Sequence, residues 1–438
     1  MKQSILSKDG VSYVVPFILI TSCFALWGFA NDITNPMVKA FSKIFRMSAT
    51  DGALVQVAFY GGYFAMAFPA AMFIRRYSYK AGVLVGLGLY ALGAFMFYPA
   101  KITGEYYPFL IAYFILTCGL SFLETSSNPY ILSMGTEETA TRRLNLAQSF
   151  NPMGSLLGMY VAMNFIQAKL NPLDTASRAD LTPAEFEAVK EYDLSVLIGP
   201  YLAIGLFILA MFVLILFWRM PKNGDKNHNI DFVPTLRRIF AMPHYREGVI
   251  AQFFYVGVQI MCWTFIIQYG TRVLMADGMA EQAAEVTSQQ YNILAMIIFC
   301  CSRFICTFLL RYVNTGRLLT VLAIVGGLLV VGVIGLQNIY GLYCLVGVSA
   351  CMSLMFPTIY GIALTGLGDD AKFGAAGLIM AILGGSVLPP FQAAIIDQVE
   401  LLGMPAVNVS FILPFVCFVV IAIYGHRTFL RSKGQLGG

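Results

Sequence analysis

Residues 119–130 read GLSFLETSSNPY, a run of apolar and small residues with one carboxylate, Glu124, near its middle. A charged side chain at membrane depth is costly, so it faces a cavity or a partner and indicates a functional site. A later stretch repeats the pattern, and its residues Gly347, Ser349 and Pro357 match Gly119, Ser121 and Pro129. Met352 takes the place of Glu124 there. The repeat predicts two related halves, of which only the first has kept this acid.

The composition indicates a membrane protein. Of the 438 residues, 58% are hydrophobic and 12% are charged, whereas charged residues make up about 25% of a typical soluble domain. Long apolar runs favour α-helical spans over a β-barrel, whose strands would alternate apolar and polar residues. The net charge of +5 does not indicate a nucleic-acid partner, because the inner loops of membrane proteins are enriched in Lys and Arg. We therefore expect an all-α membrane protein that contacts lipid and binds no nucleic acid.

Twelve apolar runs are long enough to cross a membrane, which takes about 20 residues per helix. Their approximate bounds are 13–37, 52–74, 81–100, 107–133, 143–168, 194–218, 247–273, 287–310, 318–337, 341–366, 373–396 and 405–425. A basic link divides them into six and six. We therefore expect an N-terminal six-helix bundle (1–220), a cytoplasmic linker (221–245) and a C-terminal six-helix bundle (246–438).

The distribution of basic residues predicts the orientation. Lys and Arg concentrate in the loops on the side of the two termini, and cytoplasmic loops carry an excess of them. Both termini are therefore predicted to be cytoplasmic. Arg303 is the basic residue that falls well inside a span, and we expect its long side chain to snorkel to the cytoplasmic surface.

Two carboxylates lie well inside predicted spans, Asp32 in the first and Glu124 in the fourth. Burial disfavours the charged form of a carboxylate, so such a group can take up a proton on one side of the membrane and release it on the other. The sequence thus predicts that these two acids carry protons. The alternatives are that either acid has a structural ion pair, or that Asp32 lies near enough to the outer surface to be solvated.

Amides and tryptophans inside the spans suit a ligand rich in hydroxyl groups, because amides both donate and accept hydrogen bonds and indole faces can stack on a sugar ring. Asn35, Asn128 and Asn151 each directly precede a proline. A proline within a span opens the helix backbone where it lines a cavity. The predicted ligand-binding residues are Trp27, Asn35, Gln56, Asn128, Gln148, Asn151, Gln259 and Trp263. The alternative is that the amides join helices, which is worth about 0.6 kcal/mol each.

No Walker, HExxH or GxSxG motif occurs, and no cluster of residues has the spacing of a metal site. We therefore expect neither an enzyme nor a bound cofactor or metal.

Five stretches together resemble the fucose–galactose–glucose:proton symporters of the major facilitator superfamily. They are QVAFYGGYFAMAFPA, RRYSYKAGVLVGLGLYALGA, GLSFLETSSNPY, RLNLAQSFNPMGS and AQFFYVGVQIMCWTF. The resemblance implies two pseudo-symmetric six-helix bundles with a substrate site between them near the midplane. It also implies a monomeric, proton-coupled sugar importer of the bacterial inner membrane, with one acid in the first span and one in the fourth as the coupling pair.

The fourth-span acid matches the family pattern directly as Glu124, but the first span departs from it. Fucose-specific members place the essential aspartate at the position of Asn35 and an amide at the position of Asp32. The two residues are three apart and share a helical face, so Asp32 could do the same work one turn away. L-fucose is the expected sugar. Glucose or galactose is the alternative within this class, and a transporter-derived sugar sensor is the alternative outside it.

Overall fold

The computed structural model describes residues 7–8, 11–34, 37–47, 54–173, 177–178, 180–222, 232–398, 400–401 and 403–434. Four two-residue strands are β1 (Ser7–Lys8), β2 (Val11–Ser12), β3 (Glu400–Leu401) and β4 (Met404–Pro405), and β3 pairs with β4 in antiparallel register. The rest of the regular structure in this part of the chain is helical.

The helices, in chain order, have the following bounds. They are α1 (Val14–Thr34), α2 (Met37–Ile44), α3 (Leu54–Arg76), α4 (Tyr79–Thr103), α5 (Tyr107–Ser133), α6 (Ala140–Gln148), α7 (Phe150–Val161), α8 (Pro183–Phe217), α9 (Phe232–Ala241), α10 (Pro243–Ala276), α11 (Glu281–Leu309), α12 (Thr315–Gly335), α13 (Ile339–Met352), α14 (Met355–Leu364), α15 (Ala371–Met380), α16 (Gly384–Ile396), α17 (Ala406–Ser410) and α18 (Ile412–Ser432). A π-helical turn (Ala162–Ile166) and a 3₁₀ turn (Gln167–Lys169) follow α7.

Eleven helical stretches of the described residues are long and apolar enough to cross a membrane, judged by length and composition. The remaining predicted span, 143–168, is also helical, but it is broken at Ser149 and widened by the π-helical turn. Its pieces are therefore shorter than a continuous span. The number of twelve spans stays a prediction.

The chain forms two compact units. The first comprises Asp9–Met134 and Phe150–Ile230, and the second comprises Met1–Lys8, Gly135–Ser149 and Asp231–Gly438. The predicted division into 1–220, 221–245 and 246–438 stays a prediction.

Helix α6 belongs to the second unit because its polar side chains bond there. The Asn145 amide donates to the hydroxyl of Thr358 on α14 (Nδ2–Oγ1 3.2 Å). A Cβ atom added at Gly361 would lie 2.9 Å from the Thr141 hydroxyl, so only glycine lets α14 approach α6 this closely.

In the first unit, α1 and α7 pack with their backbones in contact. A Cβ atom added at Gly154 would overlap the carbonyl oxygen of Ala25, and one added at Gly28 would overlap that of Asn151. The Ser155 hydroxyl also donates to the Gly28 carbonyl, at 3.3 Å. Small residues allow this close approach of membrane helices, which fixes α1 against α7.

Helix α8 begins eleven residues before the predicted span that starts at 194. Thr182 and Glu185 form a capping box around Pro183 at the first helical position, which stabilises a helix start. The buried ion pair of Arg178 with Asp193 (Nη2–Oδ2 2.6 Å) then ties the preceding link to the helix. Residues 183–193, which lie between the predicted spans 143–168 and 194–218, are thus the first turns of α8.

Candidate functional site

Glu124 lies on α5 in the first unit with only 2% of its surface exposed. Tyr63 of α3 donates a hydrogen bond to its carboxyl group. The carboxylate oxygen Oε2 has no hydrogen-bond partner among the described residues. A buried carboxylate with an unsatisfied oxygen is costly when charged, so this group is suited to bind a proton or a ligand hydroxyl.

The position of Tyr63 follows from how α3 packs on α5. A Cβ atom added at Gly62 would lie 2.8 Å from Cβ of Thr117 and 2.9 Å from the Phe114 carbonyl oxygen. One turn further along α5, the Ser121 hydroxyl donates to the backbone carbonyl of Tyr63, at 3.2 Å. The close approach and the hydrogen bond together hold the phenol beside the acid.

Asp32, near the end of α1, is also buried, with 9% exposed. Its carboxylate interacts electrostatically with the phenol of Tyr60, which in turn lies one helical turn from Tyr63 and interacts with it. The two predicted proton-binding acids thus each have a tyrosine of α3 near them, Tyr60 for Asp32 and Tyr63 for Glu124. The phenol of Tyr63 is the one of the two with a hydrogen bond to its acid in these interactions.

Two predicted ligand-binding residues meet at Phe24 of α1. Trp27 is buried, and its ring stacks on that of Phe24 with centroids 4.9 Å apart. Asn151 of α7 is half-buried and donates from Nδ2 to the Phe24 carbonyl, at 3.2 Å. Trp27 and Asn151 therefore share one region of the α1–α7 contact.

Asn128 lies one turn from Glu124 on α5 and is fully buried. Its Nδ2 donates to the backbone carbonyl of Glu124, at 3.0 Å. This bond supports the helix beside Pro129, which has no amide hydrogen to donate. Two further predicted residues, Asn35 and the side chain of Gln56, lie outside the described part of the chain.

In the second unit, Gln148 and Arg303 form a buried contact. Arg303 of α11 donates from Nη1 to the Gln148 carbonyl at 2.9 Å and from Nε to the Ser353 carbonyl at 2.6 Å. Both carbonyls lie at helix interruptions, one after α6 and one between α13 and α14. The Arg303 side chain is only 3% exposed.

The expectation that Arg303 snorkels to the cytoplasmic surface is therefore wrong. Carbonyl groups at helix breaks lack an intrahelical donor, and they provide the guanidinium with buried acceptors. The sequence shows an arginine within a predicted span but not the two helix breaks that meet at its side chain.

Trp263 of α10 joins the same group through Phe299. Its ring packs edge-on against Phe299 with centroids 4.9 Å apart, and the Arg303 guanidinium lies 4.6 Å from the Phe299 centroid. The indole Nε1 donates to the Ser349 hydroxyl, at 3.1 Å. Gln259 is half-buried and precedes Trp263 by one turn on the same helical face.

In the second unit, Gln148 and Trp263 belong to one group around Arg303 and Phe299. In the first unit, Glu124 with Asn128 and Trp27 with Asn151 form separate contacts. The sequence reasoning missed Tyr60 and Tyr63, because a tyrosine in an apolar span is typical of an ordinary packed core. Their spacing of three residues around the Gly61–Gly62 pair was the available signal, since it puts two phenols on one face of a closely packed helix. Among the described residues, no three His, Cys, Asp or Glu side chains lie together as metal ligands would.

Three comparisons identify the family. Residues 20–389 match the Major Facilitator Superfamily. The chain is 51% identical to the L-fucose-proton symporter of Haemophilus influenzae, over 99% of this chain and 100% of that protein. The glucose/galactose transporter of Brucella abortus is more distant, with 30% identity over 93% of this chain and 92% of its own length.

The fold also matches a solved structure. It superposes with a TM-score of 0.85 on the crystal structure of the major facilitator superfamily transporter FucP in the outward conformation, which is 31% identical and matches over 95% of this chain and 99% of that one. These relatives are transporters and not enzymes. The chain is a multi-pass, all-helical membrane protein that belongs to the major facilitator superfamily.

Proposed function

We propose that this protein imports L-fucose together with protons across the bacterial inner membrane. The observation that supports it best is the buried Glu124 carboxyl, held by Tyr63 with one oxygen unpartnered, in a chain so similar to an L-fucose-proton symporter. A buried carboxylate with a purely structural role would have hydrogen-bond partners for both of its oxygens. A proton that binds and leaves during transport accounts for it.

Glu124 and Asp32 are the proton-coupling residues of this proposal. Both carboxyl groups are buried, and a proton bound to each removes the cost of a buried charge. Tyr63 donates to Glu124 and Tyr60 interacts electrostatically with Asp32, so the two phenols belong to the proposed coupling group. The sugar contacts are the amides and indoles of Trp27, Asn35, Gln56, Asn128, Gln148, Asn151, Gln259 and Trp263.

One proton per sugar is energetically sufficient. A membrane potential of about 100 mV contributes about 2.3 kcal/mol per proton, and each pH unit across the membrane adds about 1.4 kcal/mol. The sum sustains accumulation of about several hundredfold. A single coupling site therefore meets the demand.

The proposal includes twelve spans in two six-helix halves, 1–220 and 246–438, joined by the linker 221–245, with both termini in the cytoplasm. The basic loops support this orientation. We expect the protein to act as a monomer surrounded by lipid.

Competition among a panel of sugars tests which sugar the protein transports. Proteoliposomes with an inward proton gradient should accumulate radiolabelled L-fucose, and unlabelled L-fucose should compete more strongly than galactose, glucose or arabinose. Preferential competition by glucose or galactose would instead favour the related glucose/galactose class. Binding of L-fucose with no uptake in sealed vesicles would favour a sugar sensor.

Tyr63→Phe is expected to change the pH dependence of uptake, because the Glu124 carboxyl group loses the phenol that donates to it. The change should appear in initial rates measured between pH 5.5 and 8.5. Tyr77→Phe is a matched control, since Tyr77 directly follows α3, the helix of Tyr63, and is 59% exposed. An unchanged profile in Tyr63→Phe would remove Tyr63 from the coupling group.

The first-span acid is tested by an exchange of residues. Asp32→Asn combined with Asn35→Asp restores the pattern of the fucose-specific family members, so the double variant should transport more L-fucose than Asp32→Asn alone. Residues three apart in a helix differ by about 4.5 Å along its axis, and we expect that distance to be short enough for either position to serve one proton path. Normal uptake by the single variant Asp32→Asn would show that Asp32 is not a coupling residue.

A further inference from the structure

A cavity of about 890 Å³ opens in the first unit between α1, α7 and α8. Its volume is in the range of ligand sites, about 300–1,000 Å³. None of the proposed sugar-binding or proton-coupling residues lines it. It is therefore a different site from the one described above.

The chemistry of the lining excludes a sugar. The walls are mostly apolar, and three of their side chains, Leu157, Phe165 and Phe207, are about half exposed. The two lining hydroxyls bond to their own helices, Ser22 to the Leu19 carbonyl at 2.7 Å and Ser195 to the Glu191 carbonyl at 2.8 Å. The surface offers hydrocarbon rather than hydrogen bonds.

The shape of the cavity fits a membrane leaflet. Along α8 the lining runs from Ser195 to Phe207, a rise of about 18 Å at 1.5 Å per residue. Half of a hydrocarbon core of roughly 30 Å is about 15 Å. The groove is thus as long as one leaflet is deep.

One end of the groove carries a positive charge. Lys169 is the charged residue of the lining. It lies near the Ser195 end, because the backbone amide of Asn171 donates to the carboxylate of Asp193, at 2.7 Å. The Lys169 ammonium lies 5.2 Å from the centroid of Phe165 and forms no ion pair with the described residues. The π-helical and 3₁₀ turns after α7 bring Phe165 and Lys169 to this rim.

We propose that this groove is a phospholipid site, with one acyl chain between α1, α7 and α8 and the headgroup phosphate at Lys169. The solvent around membrane-spanning helices is lipid, so hydrocarbon is what fills an apolar groove there. The positively charged ammonium of Lys169 is complementary to the negatively charged phosphate of the headgroup. The bound lipid belongs to the leaflet on the side of the 171–182 link.

Gly199 provides a direct test, because a Cβ atom added there would meet nothing within 4 Å. Larger side chains at this position should fill the groove without displacing protein atoms. Gly335 on α12 is a matched control, since it is also a helical glycine with open space around its Cβ position but lies in the other unit.

Native mass spectrometry of protein purified in mild detergent and supplied with phosphatidylglycerol should detect one retained phospholipid per chain. The series Gly199→Ala, Gly199→Leu and Gly199→Phe should lose it progressively, by at least tenfold for phenylalanine, while Gly335→Phe retains it. Lipid should also raise the melting temperature of the wild type and not of Gly199→Phe. L-fucose uptake by each variant reports that it is folded.

Lys169→Gln separates the two parts of the proposal. It should reduce the preference for phosphatidylglycerol over diacylglycerol, which lacks the phosphate, by about fivefold. Lys101→Gln is the control, because Lys101 lies in the last turn of α4 and does not line the groove. Equal retention in Gly199→Phe and Gly335→Phe, or no retained lipid in the wild type, would overturn the site. Equal retention of phosphatidylglycerol and diacylglycerol by the wild type would overturn the role of the phosphate.

Discussion

Glu124→Gln is expected to abolish L-fucose-driven proton uptake while sugar exchange across the membrane persists. The amide has nearly the shape of the carboxylic acid and keeps a contact with Tyr63, but it cannot bind and release a proton. Accumulation in proteoliposomes with a proton gradient should fall from about several hundredfold to equilibrium. Net uptake and counterflow of radiolabelled sugar measure the two activities separately.

Glu187→Gln is the control for that experiment, because this acid on α8 is exposed and forms an ion pair with the neighbouring Lys190. It should accumulate sugar as the wild type does. If Glu124→Gln accumulates L-fucose against a gradient to the wild-type level, Glu124 has no part in coupling.

Gly154→Ala is expected to prevent the first unit from folding normally. The new methyl group would overlap the Ala25 carbonyl oxygen, and backbone atoms cannot move aside as a flexible side chain can. Helices α1 and α7 would have to separate, which would also break the contact of Asn151 with Phe24. Overpacking of this kind costs about 1–3 kcal/mol and occasionally more.

The yield of monodisperse protein and its melting temperature measure this effect. Gly335→Ala is the control, since its Cβ position is open and alanine is the better helix former. We expect it to match the wild type or to be slightly more stable. A Gly154→Ala protein with wild-type yield and melting temperature would contradict the close α1–α7 packing.

The spans were predictable because lipid requires long apolar helices. The observed bounds of α4 and α5 include or equal the predicted runs 81–100 and 107–133. Helix α8 differs because its first turns are polar and outside the apolar run, where a capping box rather than hydropathy decides the start. Apolar length therefore predicts that a helix exists better than where it begins.

The helix breaks were not predictable, and they explain the error at Arg303. Its acceptors are carbonyls at Gln148 and Ser353, more than a hundred residues apart in the sequence. Hydropathy reports how apolar a segment is but not where its hydrogen-bond ladder is interrupted. Only the fold brings two such interruptions to one guanidinium.

The sequence allowed the two acids of the candidate site to be predicted, but not the two tyrosines beside them. Glu124 and Asp32 stand out because charge is rare at membrane depth, whereas Tyr63 is one of 23 tyrosines and its role depends on the contact of α3 with α5. The exchange of acid and amide at positions 32 and 35 is visible in the sequence. The double variant Asp32→Asn with Asn35→Asp tests what this exchange means for coupling.

The most direct test of proton coupling is the pH change that sugar causes. L-fucose added to de-energised, weakly buffered proteoliposomes should raise the external pH as protons enter with the sugar, with about one proton per sugar molecule. Glu124→Gln should give no pH change at the same sugar concentration. Uptake of L-fucose by the wild-type protein without any rise in external pH would contradict a proton-coupled mechanism.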